Sequence, residues 1–470
     1  MVDNWKKIGI IMVDNWILRH RMIKRTILKH LEKWKYKANR KPLILRGARQ
    51  VGKTTAVKLF AKQFKNTIFL NMENSEHKKF FKKELSFSER IQAILFAHSI
   101  PITDSDTLLF IDEIQASPLA VETLRYFYEL TPHIYLIAAG SLMESLLNIH
   151  ISFPVGRVEY LMMHPCSFKE FLSALGEDEV ETLLETIPFP AYAHDKTLKL
   201  FKEYMLVGGM PEAVDLYSKN RNLLEVNDIY ENLISSFFED VEKYAKNGFV
   251  RVVRHIIKTA FLHAGTRIKF QGFGNSLHTS KEVHESLELL ERAMLIKLIY
   301  PTTAVTLPAM DDLKKAPKLL LLDSGIFHYQ ARLQNELFLH ENPEAVAFGK
   351  AIEHTIGTMI HAEQITPSSK LNFWVREKRQ SNSEVDFVFP YKQHLIPVEI
   401  KSGASGKLRS LHQFINRAPH QMAIRFCGEP VSMEKVKTVE GKEYTLLNLP
   451  WYLAGEIYHY FEMLSSPHSN

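Results

Sequence analysis

Short apolar runs recur through the first third of the chain and alternate with stretches of helical period. Pro42-Leu43-Ile44-Leu45 predicts a buried strand, followed by a Gly-rich turn and a helix over 53–64. Thr67-Ile68-Phe69-Leu70, Thr107-Leu108-Leu109-Phe110-Ile111 and Ile134-Tyr135-Leu136-Ile137-Ala138-Ala139 predict three more strands, with helical stretches over 75–99 and 118–130 between them. Strands that read as unbroken apolar runs are buried on both faces. Separated by helices, they predict a parallel sheet with helical cover on each side.

The rhythm then changes. Residues 160–245 read as mostly helical, and a basic helical stretch over 17–37 precedes the first strand. Helices over 250–264 and 279–292, with apolar stretches at 294–300 and 318–322, predict two helices and a small ribbon of winged helix-turn-helix type. A last unit begins near 345. It has a helix over 346–363, strands near 371–377, 384–390 and 395–401, and a helix near 407–417.

Composition narrows the class. A chain of 470 residues is too long for one ordinary core, so several domains are expected. Hydrophobic content of 46% and charge content of 24% describe a globular protein rather than a disordered one. A net charge of +6 permits contact with nucleic acid without requiring it. Cys166 and Cys427 lie far apart, which excludes a disulfide framework and suits a reducing compartment. No apolar run reaches membrane-spanning length, and the N-terminus lacks the pattern of a secretory signal, so no membrane partner and a cytoplasmic location are expected. Met-Val-Asp-Asn-Trp stands at 1–5 and again at 12–16, a repeat too short for a solenoid and read as a local duplication or an alternative start.

The turn after the first strand carries the chemistry. Gly47-Ala48-Arg49-Gln50-Val51-Gly52-Lys53-Thr54 matches the phosphate-loop pattern in full, and Thr55 continues it. The pattern turns backbone N–H groups inward around phosphates at the start of a helix. Lys53 neutralises phosphate charge, and the Thr54 hydroxyl suits Mg²⁺. The third strand ends in Asp112-Glu113, where Asp112 suits the metal and Glu113 suits a general base for water. ATP and Mg²⁺ are the expected ligands. Ser141, after the fourth strand, reads either as a γ-phosphate sensor or as a helix N-cap. Arg157 reads either as an arginine finger reaching a neighbouring subunit, which would need an oligomer, or as a surface arginine.

Leu45–Thr55, Leu108–Gln115 and Gly140-Ser141 resemble the AAA+ superfamily ATPases of the AAA_14 kind. Gly156-Arg157, Pro165-Cys166-Ser167-Phe168-Lys169-Glu170-Phe171 and Gly208-Gly209-Met210-Pro211-Glu212 also look like that family. The resemblance covers roughly residues 20–240. It implies a RecA-like P-loop core over 20–160 and a helical lid over 161–247, with Walker roles for the residues just named.

Near the C-terminus, Asp386 lies in an apolar strand and Glu399-Ile400-Lys401 ends the next one. Residues two apart on a strand share a face, so Glu399 and Lys401 point the same way. An Asp and a Glu on neighbouring strands suit Mg²⁺, and a lysine beside them suits activation of water. Glu353 sits on a helix between Gly349 and Gly357, a spacing that leaves room for a ligand or simply for close packing. This set resembles the PD-(D/E)xK nuclease fold, and residues 318–403 look like the DUF4143 domain that accompanies AAA_14 ATPases. The expected order is α/β throughout: the P-loop module with its lid, a winged-helix-like connector over 248–330, and a restriction-endonuclease-like domain over 331–470. The predicted recognition helix carries Glu282, Glu285, Glu288 and Glu291, which oppose phosphate binding. Two functions stay open: ATP-driven action on DNA, or a nucleotide-gated switch or scaffold that binds a protein partner and carries an inactive nuclease-like domain.

Overall fold

The computed structural model describes residues 23–140, 156–244, 249–332, 345–363, 365, 370–378, 381–403 and 408–465. Ser141 and the Met-Val-Asp-Asn-Trp repeat lie outside the described residues.

The first sheet is parallel and five-stranded, in the order β2-β3-β4-β1-β5. Its strands are β1 (Leu43–Arg46), β2 (Asn66–Asn71), β3 (Thr107–Asp112), β4 (Tyr135–Gly140) and β5 (Glu159–Met162). Side chains alternate between two separate cores. Leu43, Leu45, Leu108, Phe110, Ile137 and Ala139 face one, and Ile44, Leu109, Ile111, Leu136 and Ala138 face the other. This two-sided burial explains the unbroken apolar runs. Helices α1 (Ile27–Lys35), α2 (Lys53–Ala61), α3 (Phe87–Ala97) and α4 (Pro118–Leu130) cover the sheet. Strand β5 was not predicted. It is an edge strand whose four residues are all half-buried, so it carries no apolar run.

A helical layer follows: α5 (Phe168–Leu175), α6 (His194–Val207), α7 (Pro211–Asn220) and the long α8 (Leu223–Tyr244). Helix α5 opens on a reciprocal cap between Ser167 and Glu170. Beyond it lie α9 (Val250–Leu262), β6 (Thr266–Arg267), α10 (Ser280–Arg292), β7 (Ile296–Ile299), β8 (Pro301–Thr302), β9 (Lys318–Leu321) and α11 (Ser324–Gln330). Strands β6, β9 and β7 form a small antiparallel sheet.

The last unit holds α12 (Ala345–Ala362), β10 (Asn372–Lys378), β11 (Ser381–Tyr391), β12 (His394–Ile400), α13 (Arg409–Ile415), β13 (Met422–Cys427), β14 (Ser432–Lys437), β15 (Glu443–Pro450) and α14 (Ile457–Ser465). Its mixed sheet has the order β14-β15-β13-β12-β11-β10-β8. Strand β8 leaves the preceding unit and pairs with β10 through Pro301 and Thr302, so the two units share a sheet. The division expected at 330/331 is therefore crossed by backbone hydrogen bonding.

Two of the family-like strings meet at Asp323, just beyond the end of β9. The Cys166 N–H donates to Gly209 O, and Asp323 accepts from the Gly209 N–H at 2.6 Å while capping α11 through the Ile326 N–H. Burial lifts the Asp323 carboxyl to about 6, although four backbone amides pull it the other way. Those strings are a packing joint between the helical layer and α11.

Candidate functional site

Strand β1 ends at Arg46 and α2 begins at Lys53, so the six residues between them make the turn. Gly52 adopts φ 94°, the left-handed region that suits glycine, and lets the chain enter α2 directly. Lys53 is only 8% exposed, and its side chain folds back over the turn. Its ammonium donates to Gly47 O and Ala48 O, each at 2.8 Å. Burial pulls this lysine down to about 8, while Glu113, Asp112 and Asp240 act to hold its charge. It is a desolvated cation bonded to neutral carbonyls.

Thr54 and Asp112 lie together. The Thr54 hydroxyl donates to Asp112 Oδ2 at 2.7 Å, linking the start of α2 to the end of β3. Asp112 Oδ1 accepts from the Glu113 N–H at 3.0 Å. Glu113 has φ 48°, a strained value for a non-glycine residue, and its carboxylate accepts from Gln115 Nε2 at 2.6 Å. Burial raises the Glu113 carboxyl, opposed by the Gln115 hydrogen bond and by Lys53. Thus Lys53, Thr54, Asp112 and Glu113 converge at the carboxyl ends of β1 and β3, the side on which open parallel sheets bind ligands. Thr55 is exposed.

Arg25 and Gln115 were missed by sequence reasoning, as was the partner of Arg49. Arg25 is buried beneath the turn and donates to Val51 O at 2.7 Å and to His164 O at 2.6 Å. It also pairs with Glu170 at 2.9 Å. Arg49, inside the turn, pairs with Asp240 of α8 at 3.0 Å. These partners lie 145 and 191 residues away, so no local pattern announces them. Gln115 was within reach, standing two positions after Glu113.

Arg157 sits elsewhere. Its guanidinium pairs with Glu129 at 2.8 Å, and the neighbouring Gly156 O accepts from Lys41. Both contacts lie at the amino end of β1, across the sheet from this chain's own phosphate turn. The structure does not bring Arg157 to the residues it was grouped with.

The C-terminal residues Glu353, Asp386, Glu399 and Lys401 do come together, around a lysine the sequence reading had not weighed. Lys318, at the start of β9, is 3% exposed. Its Nζ lies 2.6 Å from Glu353, 2.9 Å from Glu384 and 3.6 Å from Asp386. The rings of Phe373 and Phe387 flank it. Burial pulls the Lys318 ammonium down, but Glu353, Asp386 and Glu384 outweigh that, and its net shift is upward. Strand β11 supplies two of the acids, Glu384 and Asp386, two apart on one face, and its register slips beside them: Asn372 pairs with Val388 and Trp374 with Val385. The extra residue is a bulge beside Asp386, the device that re-aims a side chain within a strand.

The remaining pair lies on the next strand. Lys401 Nζ sits 2.6 Å from Glu399 Oε1. Asp386 Oδ2 accepts from the Ile400 N–H at 2.7 Å. Burial and Asp386 hold the Glu399 carboxyl above the usual range, and burial does the same for Glu353. Of the two glycines flanking Glu353, Gly357 serves packing: a Cβ there would stand 2.6 Å from Phe387 Cζ. Among the described residues, no group of three or more His, Cys, Asp or Glu is arranged to hold a metal ion. No helix among them is long and apolar enough to cross a membrane.

Residues 39–172 match the family described as AAA domain, AAA_14. Residues 198–337 match a domain of unknown function, DUF8612, which runs across the division expected at 247/248. Residues 348–447 match a further domain of unknown function, DUF4143. An uncharacterized protein of Haemophilus influenzae is 25% identical over 299 residues, covering 58% of this chain and 66% of that protein. Among solved structures, the Walker-type ATPase PABY2304 of Pyrococcus abyssi is 15% identical, covers 66% of this chain and 96% of its own, and has a TM-score of 0.43. The RuvB protein of Thermotoga maritima is 18% identical, with 58% and 89% covered and a TM-score of 0.30. Residues 39–172 of this chain are thus similar to AAA domains of the AAA_14 family, and residues 348–447 to DUF4143 domains.

Proposed function

We propose that the chain hydrolyses ATP to ADP and phosphate at the turn after β1, and that nucleotide state is relayed to α8. The observation that carries the reading is Lys53: a buried ammonium held only by carbonyl oxygens, beside a threonine–aspartate pair. Phosphate oxygens would replace Gly47 O and Ala48 O as its partners. Exchanging neutral acceptors for anionic ones strengthens each bond. The inward N–H groups of Gly47, Ala48, Arg49, Gln50, Val51 and Gly52, with Thr55, complete the phosphate cradle.

Thr54 and Asp112 fit Mg²⁺, because their oxygens already stand together and such ions prefer oxygen ligands. When bound, the ion neutralises phosphate charge. Glu113 takes the proton of the attacking water as the bond from water oxygen to the γ-phosphorus forms and the bond to the bridging oxygen breaks. Burial raises its basicity, and Gln115 fixes its aim. Ser141 as a γ-phosphate sensor and Arg157 as a finger toward a neighbouring subunit belong to this reading. Arg157 serves only in trans, since it lies far from its own turn.

The Arg49–Asp240 pair supports the switch reading. Arg49 lies within the cradle, and Asp240 sits on the helical layer. Phosphate competes with Asp240 for Arg49, so loading the site frees α8. The acids of α10 favour a protein partner: Lys281 pairs with Glu285, Arg292 with Glu288 and Lys297 with Glu291, leaving little free positive charge on that helix. The helical lid and the winged-helix-like connector are parts of the same proposal. ATPase rate should be measured for wild type and Glu113→Gln, alone and with single- or double-stranded DNA. Turnover lost in Glu113→Gln supports the reading, and equal turnover in both refutes it. Stimulation by DNA would assign DNA as the partner instead of a protein.

A further inference from the structure

We propose that the DUF4143 domain holds an internal cation where a nuclease-like centre would hold a metal: Lys318 closes the acidic cluster, and the domain does not cleave nucleic acid. The proposal is independent of the ATPase reading.

The argument is one of space and charge. A divalent cation shared by Asp386 and its neighbours needs free carboxylate oxygens pointing at one spot. That spot holds Nζ of Lys318, within 2.6 to 3.6 Å of Glu353, Glu384 and Asp386. Lys318 also donates to Asp386 O at 3.3 Å. The second oxygen of Asp386 is taken by the Ile400 N–H, and Glu399 Oε1 is taken by Lys401. Arg267 adds a further cation against Glu384 at 3.4 Å. Three positive side chains thus serve four acids. Glu399 Oε2 is the buried carboxylate oxygen of the cluster with no hydrogen-bond partner, and one oxygen does not make a cation site.

The lysine is not free to leave. Lys318 opens a strand paired on both sides, to Ile299 of β7 and Arg267 of β6, and its ammonium lies over two aromatic rings. Withdrawing it would leave three half-buried acids facing one another without their shared cation, a cost above that of an exposed pair. Its origin in the preceding unit gives the cluster a structural use: it is an ionic joint between the small sheet and the C-terminal sheet.

The test is Mn²⁺ binding to the nucleotide-free full chain by calorimetry, with Mg²⁺- and Mn²⁺-supported cleavage of plasmid and single-stranded DNA measured alongside. The expected wild-type isotherm matches those of Asp386→Asn and Glu399→Gln, and no cleavage is seen. Lys318→Met should melt lower than wild type and regain about half of the loss in millimolar Mn²⁺, because the bared acids then accept an external cation. A wild-type Mn²⁺ site abolished by Asp386→Asn, or cleavage abolished by Lys401→Ala, would overturn the proposal. If Lys318→Met does not fold, the comparison of wild type with Asp386→Asn decides alone.

Discussion

Two buried lysines of this chain have opposite electrostatic fates. Lys53 is bonded to two backbone carbonyls, and burial pulls it down to about 8. Lys318 is buried as deeply, yet three carboxylates keep its net shift upward. Burial alone does not make a binding site. What matters is whether the charge is answered from within the fold. Lys53 is bonded directly only to neutral oxygens, on the open side of a parallel sheet, and suits an anionic ligand. Lys318 already has its anions and needs none.

The sharpest way to break this contrast is at the chemistry. Glu113→Gln should lower kcat by on the order of 10²–10⁴-fold with ATP binding retained, measured by phosphate release and nucleotide titration. Lys53→Ala should lower kcat/KM for ATP by on the order of 10²–10³-fold while leaving the melting temperature unchanged or higher, since a desolvated cation is removed. Substitution at the other lysine should do the reverse. Lys318→Met should cost about 3–5 kcal/mol of stability by denaturant titration, with ATP turnover of the folded fraction unchanged. A Lys318→Met protein as stable as wild type would mean that the cluster is wet and its pairs weak.

A pH series separates the two lysines without mutation. The folded state holds Lys53 at about 8, below the ordinary lysine value of 10.5. Between those values the unfolded chain binds more protons, so the Lys53 contribution to stability rises with pH. Over the same range kcat/KM for ATP should fall above about pH 8, as the ammonium is lost. Lys318 shifts upward, so its contribution is intact below the unfolded value and survives this range. Lys53→Arg, which stays charged, should flatten the activity profile. The smallest effect belongs to the link between cradle and helix. Asp240→Asn removes the partner of Arg49 and should tighten ATP binding by a few-fold, worth about 0.5–1 kcal/mol, with kcat little changed.

Much of the proposed nucleotide site rests on local pattern. The phosphate-loop pattern fixes the turn and the helix start within eight residues, and Asp112-Glu113 closes an apolar run that can only be a buried strand. Helix α4 begins and ends where its pattern does, at Pro118 and Leu130. Edge strand β5 escaped notice because half-buried residues write no apolar run. Gln115 shared the motif and was still passed over, since a hydrogen bond back to Glu113 requires the left-handed backbone at Glu113.

The sequence by itself determined the parallel sheet, the phosphate turn and the carboxylates at the end of β3, because each depends on neighbours along the chain. Tertiary structure alone decided what answers each buried charge. Lys318 meets Glu353 and Asp386 across 35 and 68 residues, and Arg49 meets Asp240 across 191. Such pairings depend on which strand lies beside which and on how far each group is drawn out of water.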